Sequence, residues 1–478
     1  MTATVTDYYK RVFTTGLYND FKNYNVSLGD SSSYYLGIGR VEAWDSENSS
    51  DIPITPNPSK QYAREFQHSL QSIKKIDNLS YVVRRKNWVN GTIYQPWDDL
   101  YSYNTDVLGD NDDLTDEEDI QYPFYTYTNN SNVYVCLKQG KTGTAPRPSI
   151  FEPNHTTLVP QLYDDGYVWK FLYTISAIDT RRYLTSDYMP VKFVDSAVSY
   201  ETSTDQSQKA NQDQAIDGEI LRIAVDDGGG SYSTSTTVAI DGDGTGATAT
   251  LTFAGGVITN VTMTNYGSGY TYASARLLNI GSGAGAKLRP VIAPPGGMGA
   301  DPREDLHSGA LMFSVSLEDS EGGKFLVGLN NDFRQFGIIK NPVKNEAVTN
   351  PAFSGDSAFT SIVGIGLKTF KYSGISSETA VVPGVTLTGG NNNGSKLIVD
   401  YHDTIKKKIW YHQNSLTGFQ DVTGEQSYTP GGISDAGNYS DDSADFYRYG
   451  GEVLYIDNSE PFVRAAADTQ DVKIVIDI

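Results

Sequence analysis

The sequence holds a single cysteine, Cys136, with five methionines, five tryptophans and five histidines in 478 residues. One cysteine excludes an intrachain disulfide and a thiolate zinc cage. Positive charge is also scarce. Lys plus Arg is 37 against 58 Asp plus Glu, so the formal charge is 37 − 58 = −21. That balance argues against nucleic-acid binding, whose affinity comes from neutralising phosphates with a basic face, and against docking on anionic lipid. No apolar run approaches the ~20 residues needed to span a bilayer, and the first ten residues lack a basic segment followed by an apolar core. The expectation is a soluble chain made in a cytoplasm, where Asn-x-Ser/Thr triplets such as those at Asn25 and Asn90 carry no glycan.

Reactive constellations are missing too. His68, His155, His307, His402 and His412 form no short metal pair, and each is read as a surface or loop residue. There is no Gly-x-Ser-x-Gly nucleophile elbow, and Gly355-Asp356-Ser357 is followed by Ala358 where a serine-protease signature needs glycine. Cys136, between Val135 and Leu137, reads as a buried structural thiol. From Asp106 to Asp119 eight of fourteen residues are acidic. A solvated loop is the reading here, because a calcium loop would need a glycine turn and a terminal glutamate at EF-hand spacing. Carboxylates are too numerous for counting to exclude a glycosidase pair. No residue pattern singles out a catalytic group, a cofactor site or a metal site.

What is present is β-former and turn-former in quantity: 33 tyrosines and 46 glycines, with many threonines, serines and asparagines. The fold class expected is mainly β with a minor α+β part. It comprises antiparallel β-sandwich domains, a helix-bearing N-terminal domain and inserted glycine-rich β modules. Thr6-Asp7 can cap a helix running to about Asn23. A second helix follows Pro56-Asn57-Pro58-Ser59, with Asn57 as N-cap and Pro58 at the first position. Its apolar stripe is Tyr62, Phe66, Leu70, Ile73 and Ile76, with His68 off the stripe and solvated. Strands are expected at 34–39, 79–83, 133–137 and 167–175, as a meander packed on the helices. Tyr167, Trp169 and Phe171 alternate toward a core.

Between 226 and 300 the chain repeats itself at an offset of 38 to 39 residues. Tyr232–Ile240 precedes Gly242-x-Gly244-x-Gly246-Ala247, and Tyr270–Leu278 precedes Gly281-x-Gly283-x-Gly285-Ala286. Between the copies, 249–253 and 257–264 flank Ala254-Gly255-Gly256 and read as a hairpin. No helix and no Gly-Lys-Ser/Thr follows the Gly-x-Gly triplets, so they are turns rather than phosphate loops. Asp241-Gly-Asp243 is likewise read as a turn rather than a calcium site. A Pro/Gly linker follows at 290–302, then strands at 311–317, 324–327, 333–340, 397–401, 408–412, 451–458 and 472–478.

Five segments, in order, resemble the gene-product-eight family of baseplate wedge subunits in T-even-like contractile-tailed bacteriophages. They are Gly37-Ile-Gly39-Arg40-Val-Glu-Ala-Trp44, Arg84-Arg85-Lys-Asn-Trp88, Asp165-Gly166-Tyr167-Val168-Trp169, Phe333-Arg334-Gln335 with Ile338-Ile339-x-Asn341-Pro342, and Gly450-Gly451-Glu452-Val453-Leu454-Tyr455 with Asn458-x-x-Pro461. The resemblance divides the chain into a family core at 1–200 completed by 441–478, a connector at 201–225, an inserted glycine-rich module at 226–300, a core segment at 301–342 and an inserted β-rich region at 343–440. It implies a non-enzymatic structural protein without a cofactor. The expected setting is the tail baseplate of a virion, assembled in the host cytoplasm. The expected partners are a second copy in a homodimer and other wedge subunits, with no nucleic acid, membrane or small-molecule substrate. The family-motif and assembly candidates are Arg40, Trp44, Arg84, Arg85, Trp88, Trp169, Arg334 and Glu452. Arginines beside tryptophans can stack and pair with carboxylates, either inside the fold or against a neighbouring subunit. The competing reading is a receptor-binding or tail-fibre adhesin for host glycans, which the tyrosine content and the inserted β modules also suit.

Overall fold

The computed structural model describes residues 7–22, 32–44, 56–100, 123–142, 145–195, 203–318, 324, 332–345, 358–390, 394–420, 422, 427–434, 444–463 and 469–477. The protein is mainly β, with several antiparallel sheets and few helices. The chain forms two compact units. The first comprises Met1–Gly16, Ser80–Met312 and Val475–Ile478; the second comprises Leu17–Leu79 and Phe313–Ile474. Residues of the expected core at 1–200 fall in both units: Tyr34–Gly39 pairs with Leu70–Lys75 and also with Asp332–Lys340, while the strands between 125 and 174 pair with one another.

In the second unit a five-stranded sheet runs in the order Val363–Ile365, Leu70–Lys75, Tyr34–Gly39, Asp332–Lys340, Glu452–Val463. Tyr34–Gly39 is buried at every position, so it lies mid-sheet and carries no alternation. Helix Lys60–Ser69 packs on this sheet through Phe66. Its N-cap is Ser59, whose hydroxyl accepts from the Tyr62 N–H, in place of the expected Asn57. The helix also stops at Ser69, whereas the apolar stripe projected it to Ile76. Leu70 turns extended, and Ile73 pairs with Gly37 as a strand residue. The three-residue spacing of Leu70, Ile73 and Ile76 is helical and does not fit a strand face, and the ladder with Tyr34–Gly39 overrides it.

The helix approaches closely because two glycines face it. Gly37 and Gly337 are register partners, and a Cβ on either would lie 3.3 Å and 2.6 Å from the Phe66 ring. A six-stranded sheet completes this unit, in the order Lys368–Lys371, Lys408–His412, Lys396–Asp403, Thr386–Gly389, Ser427–Thr429, Ile433–Ser434. Its core is Phe370, Leu387, Leu397, Val399, Ile409 and Tyr428.

In the first unit a four-stranded sheet orders Tyr125–Tyr127, Asn132–Lys138, Val168–Thr174 and Gln161–Leu162. Tyr94, Tyr134, Cys136, Tyr167, Trp169 and Phe171 form one buried cluster, as the alternation predicts. The supposed connector at 201–225 is structured. Helix Ser203–Asp213 buries Asn211, whose amide donates to the Phe171 and Leu172 carbonyls, and a strand starts at Ile220.

That strand belongs to the glycine-rich repeat, which is larger than its sequence signal. Each copy supplies three strands: Ile220–Asp227, Thr237–Gly242 and Thr248–Ala254 in one, Val257–Asn265, Ala273–Leu278 and Lys287–Ile292 in the other. The first strand of each copy pairs with the third of the other, and the two middle strands pair together. The copies are thus exchanged about a pseudo-two-fold axis. The aromatic anchors swap as well: Tyr232 lies against Gly283 and Tyr270 against Gly244, where any side chain would collide with the ring. The expected hairpin is present, with Gly255 and Gly256 both at positive φ. The expected linker at 290–302 starts inside a strand, since Pro290 pairs with Ile223. The C-terminal strand Gln470–Asp477 lies next to Ala310–Leu317 in a sheet. The acidic stretch 106–119, residues 355–357 of the serine-protease-like motif and the expected strand beyond Lys324 lie outside the described residues.

Candidate functional site

Three of the five resembling segments occupy neighbouring strands of the five-stranded sheet. The Arg40 guanidinium stacks 3.8 Å above the Trp44 ring, and the Trp44 indole N–H donates to the Ser459 carbonyl at 3.0 Å. Arg334 is buried and donates from Nη1 to the Val41 carbonyl at 2.9 Å. Beside it, the Gln335 amide donates to Asn458 Oδ1 at 2.8 Å, and the Asn458 amide donates to the Tyr62 hydroxyl on the helix at 2.8 Å. Backbone demands account for the rest of the pattern. Asn341 sits at φ 50° and exchanges hydrogen bonds with Ser33, and Gly451 sits at φ 83° under the Lys340 and Asn341 carbonyls. Glu452 pairs in register with Lys340 at the far end of the same strands, away from Arg334. Glu452 is exposed, and the others hold one another inside the fold.

The same unit carries a buried cluster that the sequence reading missed. His412 and Asp400 are fully buried and joined Nδ1 to Oδ2 at 2.8 Å, and His412 Nε2 meets Glu42 Oε1 at 3.1 Å. The Gln71 amide donates to the other Asp400 oxygen at 3.0 Å. Burial by itself depresses His412, but the Asp400 and Glu42 carboxylates outweigh it and hold the imidazole up at about 10. Burial likewise raises Glu42, and the His412 cation outweighs that to bring it down to about 2. The arrangement is an ion triad that ties the Val41–Trp44 segment and the Leu70–Lys75 strand to two strands of the six-stranded sheet. It contains no Ser, Thr or Cys side chain.

Of the other histidines, read as surface or loop residues, His155 and His307 do lie in loop or turn segments, while His68 is on a helix and His402 on a strand. His68 bonds the Tyr449 hydroxyl at 2.8 Å and packs against Phe419; His155 bonds Tyr163 at 2.9 Å; His402 bonds Tyr372 at 2.7 Å. His307 stacks on Trp97, and burial lowers it to about 4. His68, His155 and His402 each meet a tyrosine hydroxyl through one ring nitrogen, a pairing that spacing in sequence does not encode.

In the first unit the four remaining candidates fall into two groups. Trp169 is core, and Trp88 packs at the edge of the same cluster. The Asp165-Gly166-Tyr167 motif has a local reason: the buried Asp165 carboxylate accepts from Ser149 Oγ and from the Ile150 and Tyr167 N–H groups, and Gly166 takes φ 87°. Arg84 and Arg85 are on the outside. Arg84 lies 4.8 Å over Tyr188 and is exposed. Arg85 lies 5.2 Å over Tyr127 and donates to Asn87 and to the Thr185 carbonyl.

A second charged knot joins the repeat module to the segment before it. Buried Asp98 pairs with Arg222 on the first strand of the module and, at 2.8 Å, with Arg289 on the last. Burial raises Asp98, and the two arginines override it and lower its carboxyl below the ordinary range. Asp241 pairs with Arg276, and Asp243 accepts from the Thr271 and Tyr272 backbone, so both carboxylates of this stretch, read from sequence as a turn, serve the module itself. Among the described residues, no group of three or more His, Cys, Asp or Glu side chains is placed to hold a metal ion. No protein-family model and no curated protein matches the chain.

Proposed function

We propose that the protein is a structural, non-enzymatic component of the baseplate wedge of a contractile phage tail, working as a homodimer that binds other wedge subunits and repacks its interfaces when the baseplate switches. The observation that supports this reading is the convergence of three resembling segments, about 300 and 400 residues apart in the chain, on adjacent strands joined by Arg334–Val41, Trp44–Ser459 and Gln335–Asn458. Chance likenesses scattered along a sequence have no reason to meet in space. The described ionisable clusters, His412–Asp400–Glu42 and Asp98–Arg222–Arg289, serve to join elements, which suits a load-bearing part.

Two measurements test the proposal. Sedimentation equilibrium of the full chain is expected to give a dimer, whereas a trimer favours a tail-fibre adhesin. Antibodies raised against the chain are expected to label the tail end-plate of purified contractile-tailed virions that encode it. Labelling of fibre tips or of no virion structure overturns the reading, as does turnover of a glycan substrate.

A further inference from the structure

The internal repeat makes two ribbons of the glycine-rich module equivalent. At offsets of 38 and 39 residues, Arg222 and Ala224 correspond to Asn260 and Thr262, and Arg289 and Val291 correspond to Thr250 and Thr252. The ladders keep the correspondence. Arg222 pairs with Val291 and Ala224 with Arg289, as Asn260 pairs with Thr252 and Thr262 with Thr250. The first ribbon is already in use: Arg222 and Arg289 hold Asp98, which lies outside the module, and Val291 is fully buried. The second ribbon, Thr248–Ala254 with Val257–Asn265, presents its outer face to solvent. Thr248, Thr250, Thr252, Thr262 and Thr264 are exposed and Asn260 is half-buried, whereas Ala249, Leu251, Phe253, Val261 and Met263 pack into the module core. The Thr248 and Thr264 hydroxyls share a hydrogen bond at 2.7 Å, and the Asn260 amide donates to Thr262 Oγ1 at 3.1 Å. These bonds orient the row, and each hydroxyl, with one donor and two acceptor positions, retains capacity for a partner. No charged residue occurs between Asp243 and Arg276. A solvent face of this size without charge is exceptional in a chain of net charge −21.

We propose that the outer face of this ribbon, made by Thr248, Thr250, Thr252, Asn260, Thr262 and Thr264, binds a neutral polysaccharide. Nucleic acid and anionic lipid require cations, which the face lacks. A protein interface requires an apolar or aromatic centre, and the centre here is threonine and asparagine. A row of oriented hydroxyl and amide groups matches a chain of uncharged hydroxyls, which the negative charge of the protein does not repel. Tyr266, two residues beyond Thr264 and 49% exposed, supplies a ring whose apolar face can pack on a sugar. The repeat thus keeps two ribbons of one register. Arginines commit the first to Asp98, and Asn260 and Thr250 stand in their places on the second. The inference rests on these observations and stands or falls separately from the wedge reading.

The test is native affinity electrophoresis of the full chain in gels containing dextran, mannan, galactomannan or amylopectin, with polygalacturonate as the anionic comparison. At least one neutral polymer is expected to retard the protein, equally at low and high salt, and polygalacturonate is expected not to. The double variant Thr250→Val, Thr262→Val removes two facing hydroxyls at nearly constant shape and should raise the apparent dissociation constant at least about tenfold. Thr237→Val, exposed on the neighbouring ribbon, should leave it unchanged. No retardation by any of the neutral polymers, retardation that salt abolishes, equal retardation by polygalacturonate, or full binding by the double variant each overturns the proposal. The polymer panel and the salt series on the unaltered protein decide the question even if the double variant unfolds.

Discussion

Replacing His412 by Gln removes the cation on which two carboxylates depend. Asp400 is fully buried, and its other partner is the Gln71 amide. Losing one member of a buried, hydrogen-bonded ion pair costs about 3–5 kcal/mol, because the remaining charge has neither water nor a counter-ion. The Gln side chain can still donate one hydrogen bond to Asp400, which puts the expected loss near 3 kcal/mol. Urea unfolding read by tryptophan fluorescence measures this, since Trp410 lies on the strand that carries His412. A protein of two units need not unfold in one step, so the shift is sought in the transition that reports Trp410.

The pH dependence is a second reading of the same cluster. His412 is raised from 6.5 to about 10, so its contribution is complete below pH 6.5 and is lost as pH climbs through 10. Glu42 is lowered from 4.5 to about 2, so its contribution is complete above pH 4.5 and is lost as pH falls through 2. The unaltered protein should therefore gain most from the cluster between pH 4.5 and 6.5. Its advantage over His412→Gln should shrink on both sides. A variant cost below about 1 kcal/mol, the range of an exposed pair, or a difference that does not change from pH 6.5 to 10, refutes the argument.

Gly337→Ala places a methyl against the Phe66 ring and the Tyr455 carbonyl, and should destabilise the protein by about 1–3 kcal/mol by denaturant titration. Asp98→Asn leaves Arg222 and Arg289 without their shared carboxylate. Limited proteolysis should then cut near residues 220–292 at a protease level the parent resists, and the parent itself should gain that sensitivity in acid as Asp98 protonates. Cys136 is fully buried, and burial pushes its thiol well above the ordinary range. A thiol reagent should find no reactive group in the native protein and one per chain after unfolding.

Local patterns in the sequence carried much of the outcome. An apolar run marked Tyr34–Gly39, the alternation of Tyr167, Trp169 and Phe171 marked Val168–Thr174, a glycine pair marked the 255–256 turn, and the 38- to 39-residue offset marked the duplication. Each depends on neighbours within one turn or strand, where side-chain period and backbone freedom act directly. Pairings beyond the local segment decided the rest. Nothing near Leu70 reveals that a strand at 34–39 will capture it from the preceding helix, or that two repeats will exchange strands instead of folding side by side. The same holds for the site. Arg40 and Trp44 were visible as a local pair, but His412 became a buried cation only when folding brought Asp400 and Glu42 to it. Charge state is set by the surrounding groups and by the exclusion of water, and both come into being only with the tertiary structure.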